Sequence, residues 1–290
     1  IAEKDRKAFL FTNVVDSKGN KYDMPVVVGV LAANRKIYSM GMGCPVEEVQ
    51  SRWQEAIANP IPPTEVRSDE APCHEIIIEG DDLDKPGKGL DSLPVPISTP
   101  GWDVGPVATL TQYVTKDPDT GLQNMGNYRA QVKGPRRMGM NPSLELRPGI
   151  YLHWEKQRKK GEPLEAAVVL GGPSCTTFTS AQKLPESLEE MHVAGGLVGS
   201  SVNVVKARTV DLLVPAEAEI VIEGLINTEL LEPEAPFGES HGHVNLQEFN
   251  AYMDVTCITR RSNAVLTSII SQVTPSESSC IKQVAYETLF

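Results

Sequence analysis

The stretch "SVNVVKARTVDLLVPA" (201–216), followed at once by "AEIVIEGLIN" (218–227), decides the fold class. Both segments are rich in valine and isoleucine and read as strands. Working outward, "PVATLTQYVT" (106–115), "NYRAQV" (127–132), "AAVVLGG" (166–172), "AYMDVTCIT" (251–259) and "AVLTSIISQV" (264–273) read the same way. Helical text interrupts them at "PGIYLHWEKQRKKG" (148–161) and "PESLEEMHVAGGLVG" (185–199). So many short strands with so few helices exclude a doubly wound sheet. The expectation is an α+β protein whose residues 105–290 form a mainly antiparallel split β-barrel.

The first third reads differently. "MPVVVGVLA" (24–32) is a predicted strand and "PVEEVQSRWQEAIA" (45–58) a predicted helix with proline in its first turn. Prolines then crowd residues 59–104, broken by the strand-like "HEIIIEG" (74–80). Residues 1–104 are therefore expected to form a small α/β domain and a connecting segment.

With 290 residues, 40% apolar and 22% charged, the chain suits one large or two ordinary soluble domains. A formal charge of −11 argues against nucleic-acid and anionic-membrane partners, which are held by clustered lysine and arginine, and leaves a small-molecule partner. Five scattered cysteines without a C-x-x-C pair imply a reduced, cytoplasmic protein. No apolar run approaches the length of a membrane span, and the start lacks a signal-peptide core. Ile1 and the helix-like ending "IKQVAYETLF" imply that sequence flanks the chain on both sides.

Several residues could carry chemistry. In "NMGNYRAQV", Asn124 stands five residues before Arg129, either a surface arginine or a fork for a carboxylate or phosphate. His153 beside Trp154, and Glu186, Glu189, Glu190 and His192 near the second helix, read as caps and solvated faces. Together with the Asn124 amide they also make a mixed oxygen and nitrogen set suited to manganese. In "EPEAPFGESHGH" (232–243), Glu234 and Glu239 flank a Pro-Phe-Gly turn, so both could face one cleft. Beside an arginine, one acid would be held ionised and the other left to donate a proton, a general-acid arrangement; the bland reading is a solvated acidic loop. His241 and His243 could instead ligate zinc or iron with Glu239. "LGGPSCTTFTSAQ" (170–182) reads as a loop of glycines and hydroxyls, a weak phosphate cradle with Ser180 and Ala181 as candidate cofactor contacts.

Taken together, these blocks resemble the UbiD family of reversible decarboxylases that use prenylated flavin mononucleotide (FMN). They recur in order: "NMGNYR", "LHW", "EEMHVAGG", "VVK" (204–206), "AEIVIEG" (218–224) and "EAPFGE" (234–239). The resemblance implies that Asn124, His153 and Glu190 hold a manganese ion on the flavin phosphate, with potassium nearby. It assigns a Glu-Arg-Glu network to Glu234, Arg129 and Glu239, with Glu239 as proton donor, acting on an aromatic or α,β-unsaturated acid. Family members continue into a C-terminal domain that dimerises, closes over the flavin and supplies a lysine; that text is not in this chain. A homodimer or higher homo-oligomer is expected of the full-length protein, and poor cofactor binding of the chain by itself. Ala235 stands where many members have glycine, and Ser240 where some have methionine. Arg136, Arg137 and Arg147 lie in a stretch that looks longer than in some members, either a solvated basic loop or a cradle for a coenzyme A thioester. Two rival readings are the histidine-based metal enzyme and a non-catalytic assembly subunit.

Overall fold

The structure, a computed structural model, describes residues 5–99, 101, 103–142, 147–185, 187–239, 242–269 and 273–289. The principal sheet is built from β1 (Ile76–Glu79), β2 (Val107–Ala108), β3 (Gln112–Lys116), β4 (Gln123–Asn127), β5 (Ala130–Gly134), β6 (Arg137–Gly139), β7 (Leu164–Leu170), β8 (Ile220–Ile226) and β9 (Tyr252–Arg260). Their order is β2-β5-β6-β9-β8-β7-β3-β4, with β1 beside the second half of β9. Every pairing in this sheet is antiparallel.

The near-continuous apolar text of β7 and β8 has a physical reason: both faces are buried. Ala167, Val169 and Val221 point into one core, and Ala166, Val168, Leu170, Ile220 and Ile222 into the other. The first core is covered by helices α1 (Arg35–Met42), α2 (Val49–Ala58), α4 (Ser174–Ser180), α5 (Glu190–Val198) and α6 (Glu277–Leu289), through Tyr38, Trp53, Phe178, Leu197 and Ile281. The second lies inside the curl of the sheet, where α3 (Gly149–Lys160) adds Ile150 and Trp154 to Tyr113, Met138 and Met253.

The sheet curls because its two ends are neighbours in sequence. β4 and β5 lie at or next to opposite ends, yet Tyr128 and Arg129 alone join them. Thr111 pins this crossing: its carbonyl accepts from Tyr128 N at 3.1 Å and its N–H donates to Asn127 Oδ1 at 2.9 Å. The result is a half-barrel with Arg129 at the seam, which agrees with the expected α+β split barrel.

Strand pairings cross residue 104. β1 joins β9, Thr64–Glu65 pairs in parallel with Asn203–Lys206, and Val26–Val28 pairs in parallel with Leu266–Ser268. The loop predicted over 170–182 is overturned, because Ser174–Ser180 is helical. Its Thr176, Thr179 and Ser180 hydroxyls donate to carbonyls within the same turn, and Phe178 is fully buried against Tyr38 with ring centroids 4.1 Å apart. Burial outweighed a weak local propensity. Helix α1, not anticipated, is capped by Asn34, whose Oδ1 accepts from Ile37 N at 2.9 Å. Among the described residues no helix is long and apolar enough to cross a membrane, and all five cysteines are free.

Candidate active site

Arg129 emerges from the seam between two acids. Its Nε and Nη2 donate to Glu234 Oε1 and Oε2, both at 3.0 Å, and its Nη1 donates to Glu239 Oε1. Glu234 ends the strand Glu232–Glu234 and is 3% exposed. Its Oε2 also accepts from Asn141 Nδ2 at 2.7 Å and Asn250 Nδ2 at 3.0 Å. Such a carboxylate is costly to bury, and four donors offset that cost. Glu239 follows the short strand Phe237–Gly238, with its side chain 19% exposed, and accepts from Asn245 Nδ2 at 2.9 Å. The Phe237 ring lies under the guanidinium, 5.0 Å from ring centroid to Cζ.

The chain between the two acids differs from the predicted Pro-Phe-Gly turn. Phe237–Gly238 pairs with Val244–Asn245 as strand, and Gly242 takes φ +88°. At Gly238 a Cβ would lie 2.5 Å from Thr99 Oγ1, so a larger residue there would displace that hydroxyl.

A second group forms on β4 and two helices. Asn124 Nδ2 donates to Glu190 Oε1 at 3.0 Å, and Met125 N donates to Glu190 Oε2 at 2.8 Å. His153, on α3, is 2.9 Å through Nδ1 from Thr115 Oγ1, and Thr115 is the cross-strand partner of Asn124. Directly opposed residues share a sheet face, so Asn124, His153 and Glu190 converge. Burial pushes the Glu190 carboxyl up to about 7, against the pull of the Met125 N–H. Burial also pushes His153 down to about 4, which keeps the imidazole neutral and able to act as a ligand. Asn124 Oδ1 is buried and has no hydrogen-bond partner. A buried orphan oxygen, a neutral imidazole and a carboxyl burdened by burial fit a divalent cation, which would satisfy all three. Among the described residues no three His, Cys, Asp or Glu side chains form such a cluster; the third donor is the amide.

The other candidates are placed as follows. Glu189 accepts from Gln123 N at 2.8 Å and meets His192 Nε2 at 3.4 Å. Ser180 is buried at the C-terminal end of α4 with Ala181 as its cap, and α4 packs on β4 and α5, the elements that carry Asn124 and Glu190. His243 is exposed in the hairpin after Glu239; Glu186, Ser240 and His241 lie outside the described residues. Arg136 pairs with Asp84 at 3.0 Å, Arg137 with Glu232 at 2.6 Å and Asp254 at 2.7 Å, and Arg147 with Glu155 at 3.4 Å. Each of these partly exposed arginines thus has an acidic neighbour at the surface. The sequence reading missed Asn141, Asn245 and Asn250, although two of them stand in "HVNLQEFN", just behind the acid pair.

The curled antiparallel half-barrel matches the fold of UbiD-class structures. The chain belongs to the UbiD family: the family model described as "3-octaprenyl-4-hydroxybenzoate carboxy-lyase Rift-related domain" matches residues 64–273. A curated relative, the uncharacterised protein sll0936 of Synechocystis sp., is 32% identical over 92% of this chain. The chain spans about half of that relative, 55% of its length. Among solved structures, the UbiD-class enzyme HmfF of Pelotomaculum thermopropionicum, in complex with FMN, superposes with a TM-score of 0.84 at 32% identity, over 92% of this chain and 57% of that one. The closed form of vanillic acid decarboxylase from Sedimentibacter hydroxybenzoicus gives 0.85 at 25% identity, over 96% and 58%.

Proposed function

We propose that the protein to which this chain belongs catalyses the reversible, non-oxidative decarboxylation of an aromatic or α,β-unsaturated acid with prenylated FMN. The observation that carries this reading is Arg129 bridging a four-donor acid, Glu234, and a partly open one, Glu239. A related HmfF structure holds prenylated FMN. Asn124, His153 and Glu190 would hold manganese at the cofactor phosphate, with potassium as the family's second cation and Ser180 and Ala181 as further cofactor contacts. Five residues of extended chain separate Asn124 from Arg129, about 16 Å at most. That span suits a cofactor with a phosphate at one end and a reactive ring at the other.

When bound, the cofactor supplies the electron sink. Arg129 orients the substrate carboxylate, and Glu234 holds Arg129 in place. The carbon–carboxyl bond breaks and carbon dioxide leaves. Glu239 then gives its proton to the carbon that keeps the electron pair, and solvent reprotonates Glu239. In the carboxylation direction Glu239 is the base. The ion-paired state of Arg136, Arg137 and Arg147 favours a small acid over a coenzyme A thioester. Free cysteines support a reducing, cytoplasmic setting, and a homodimer is the simplest assembly.

The test is a panel of aromatic, heteroaromatic and acyl-thioester acids. They are offered to full-length protein produced with the prenyltransferase that matures the cofactor, and released carbon dioxide is followed. Release from at least one free acid supports the reading; a fully loaded protein that decarboxylates none contradicts it.

A further inference from the structure

We propose that Asn245 is a positioning residue for proton transfer: with Arg129 it occupies Oε1 of Glu239 and leaves the transferable proton on Oε2. The inference rests on the decarboxylase reading and goes beyond it by naming the atom that gives up the proton and the amide that selects it. Glu239 Oε1 accepts from both Arg129 Nη1 and Asn245 Nδ2, the latter at 2.9 Å. Among the described residues no donor reaches Oε2. An oxygen that already accepts two N–H bonds, one from a cation, is the poorer seat for a proton.

The two acids are therefore unequal. Both oxygens of Glu234 are taken, Oε1 by Arg129 Nε and Oε2 by Arg129 Nη2, Asn141 and Asn250. Each oxygen of Glu234 accepts at least one N–H, whereas among the described residues Oε2 of Glu239 accepts none. Three amides that no motif singled out divide a symmetrical-looking pair into a fixed anion and an acid.

The hairpin explains how Asn245 reaches its place. Its register sets Asn245 opposite Phe237, and the bond from Glu239 N to His243 O at 2.9 Å carries the register one step further. Phe237, Glu239 and Asn245 thus share one face, with Asn245 the diagonal neighbour of Glu239. That face meets Arg129, which lies over Phe237. The titratable and charged groups around Glu239 are Arg129 at the seam, Glu234 and Glu248 on the neighbouring strand pair, and His243 on its own hairpin.

In the step itself the carbon–carboxyl bond breaks, carbon dioxide departs, and the electron pair left on carbon takes the proton from Glu239 Oε2. A carbon–hydrogen bond forms and Glu239 is left as the carboxylate. Without Asn245 the carboxyl can turn, and the proton is shared between the two oxygens.

The experiment compares Asn245→Ala and the near-isosteric Asn245→Asp with wild type, as full-length holoenzyme. Each should lose about 10- to 100-fold in kcat with KM changed less than about twofold, as expected when one oriented donor at a reacting group is removed. Unchanged kcat in both variants overturns the proposal. An arm independent of turnover is a carbon-13 titration of glutamate-labelled full-length apoprotein, with the Glu239 carboxyl assigned by its loss in Glu239→Gln. Loss of an N–H donor to the carboxylate should let Glu239 keep its proton to higher pH in Asn245→Ala. An identical titration in wild type and variant overturns the proposal even if no acid is turned over. Absence of turnover in wild type alone counts against the decarboxylase reading, not against this inference.

Discussion

Replacing Arg129 by alanine would leave Glu234, 3% exposed, with two amide donors and no cation. Breaking a buried pair by removing one partner costs about 3–5 kcal/mol, because the remaining charge stays in a poor solvent. Asn141 and Asn250 still solvate one oxygen, so the lower end, about 3 kcal/mol, is expected. The bond to Glu239 adds less than about 1 kcal/mol, since that side chain already meets solvent. For a chain of this size the sum, about 3–4 kcal/mol, corresponds to a fall in Tm of about 6–16 °C. Glu234→Gln removes the charge instead of stranding it, and the double variant should therefore be more stable than Arg129→Ala alone. The assay is urea unfolding of all four proteins, followed by tryptophan fluorescence and circular dichroism, with midpoints compared at unchanged slope. A loss below about 1 kcal/mol in Arg129→Ala, or strict additivity in the double variant, would refute the view that Arg129 neutralises a buried anion.

Three further outcomes follow from the second group of residues and from the core. In metal-free protein the Glu190 carboxyl is raised from an ordinary 4.5 to about 7, so its contribution is full below 4.5 and is lost as pH rises through 7. Between pH 6.5 and 8 the Glu190 contribution should fall by about 0.8 kcal/mol, while the last of the His153 titration, about its ordinary 6.5 in the unfolded chain, returns about 0.4 kcal/mol, leaving a net fall of about 0.4 kcal/mol. Urea midpoints should show this fall, and both Glu190→Gln and added manganese should remove it. In Gly149→Ala a Cβ would lie 2.6 Å from Asn124 Oδ1, so the amide must turn; manganese affinity measured calorimetrically should drop about 10- to 100-fold. Phe178→Ala should cost about 3–5 kcal/mol in urea unfolding, because the ring is fully buried against Tyr38; a cost under about 1 kcal/mol would mean that α4 is not a core helix.

Much of the sheet was legible because β7 and β8 are apolar but for Glu165 and Glu223, and so short and apolar a run fits a strand buried on both faces. Helix α4 was not legible: glycine, proline and three threonines favour a loop locally, and the helix exists because Phe178 fills the space beside Tyr38. The ionic site was legible in part. Glu234 and Glu239 could be paired from their spacing, but Arg129 stands about a hundred residues away, and only ordered motifs linked it to them. Asn141, Asn245 and Asn250 carry no local signal, since an asparagine in a loop is ordinary turn chemistry until the fold turns its amide toward a carboxylate. The Asn124, His153 and Glu190 set shows the same limit, because its convergence depends on Thr115 and Asn124 being opposed across two strands.

The central claim is that Glu239 delivers the proton that completes decarboxylation. The most direct measurement is single-turnover decarboxylation in heavy water by full-length Glu239→Gln loaded with matured cofactor, scored by carbon dioxide release and by deuterium at the vacated carbon. The account predicts an unaltered cofactor spectrum, turnover lowered by at least about 100-fold, and no appreciable deuterated product. Wild-type rates with full deuterium incorporation in that variant would contradict it.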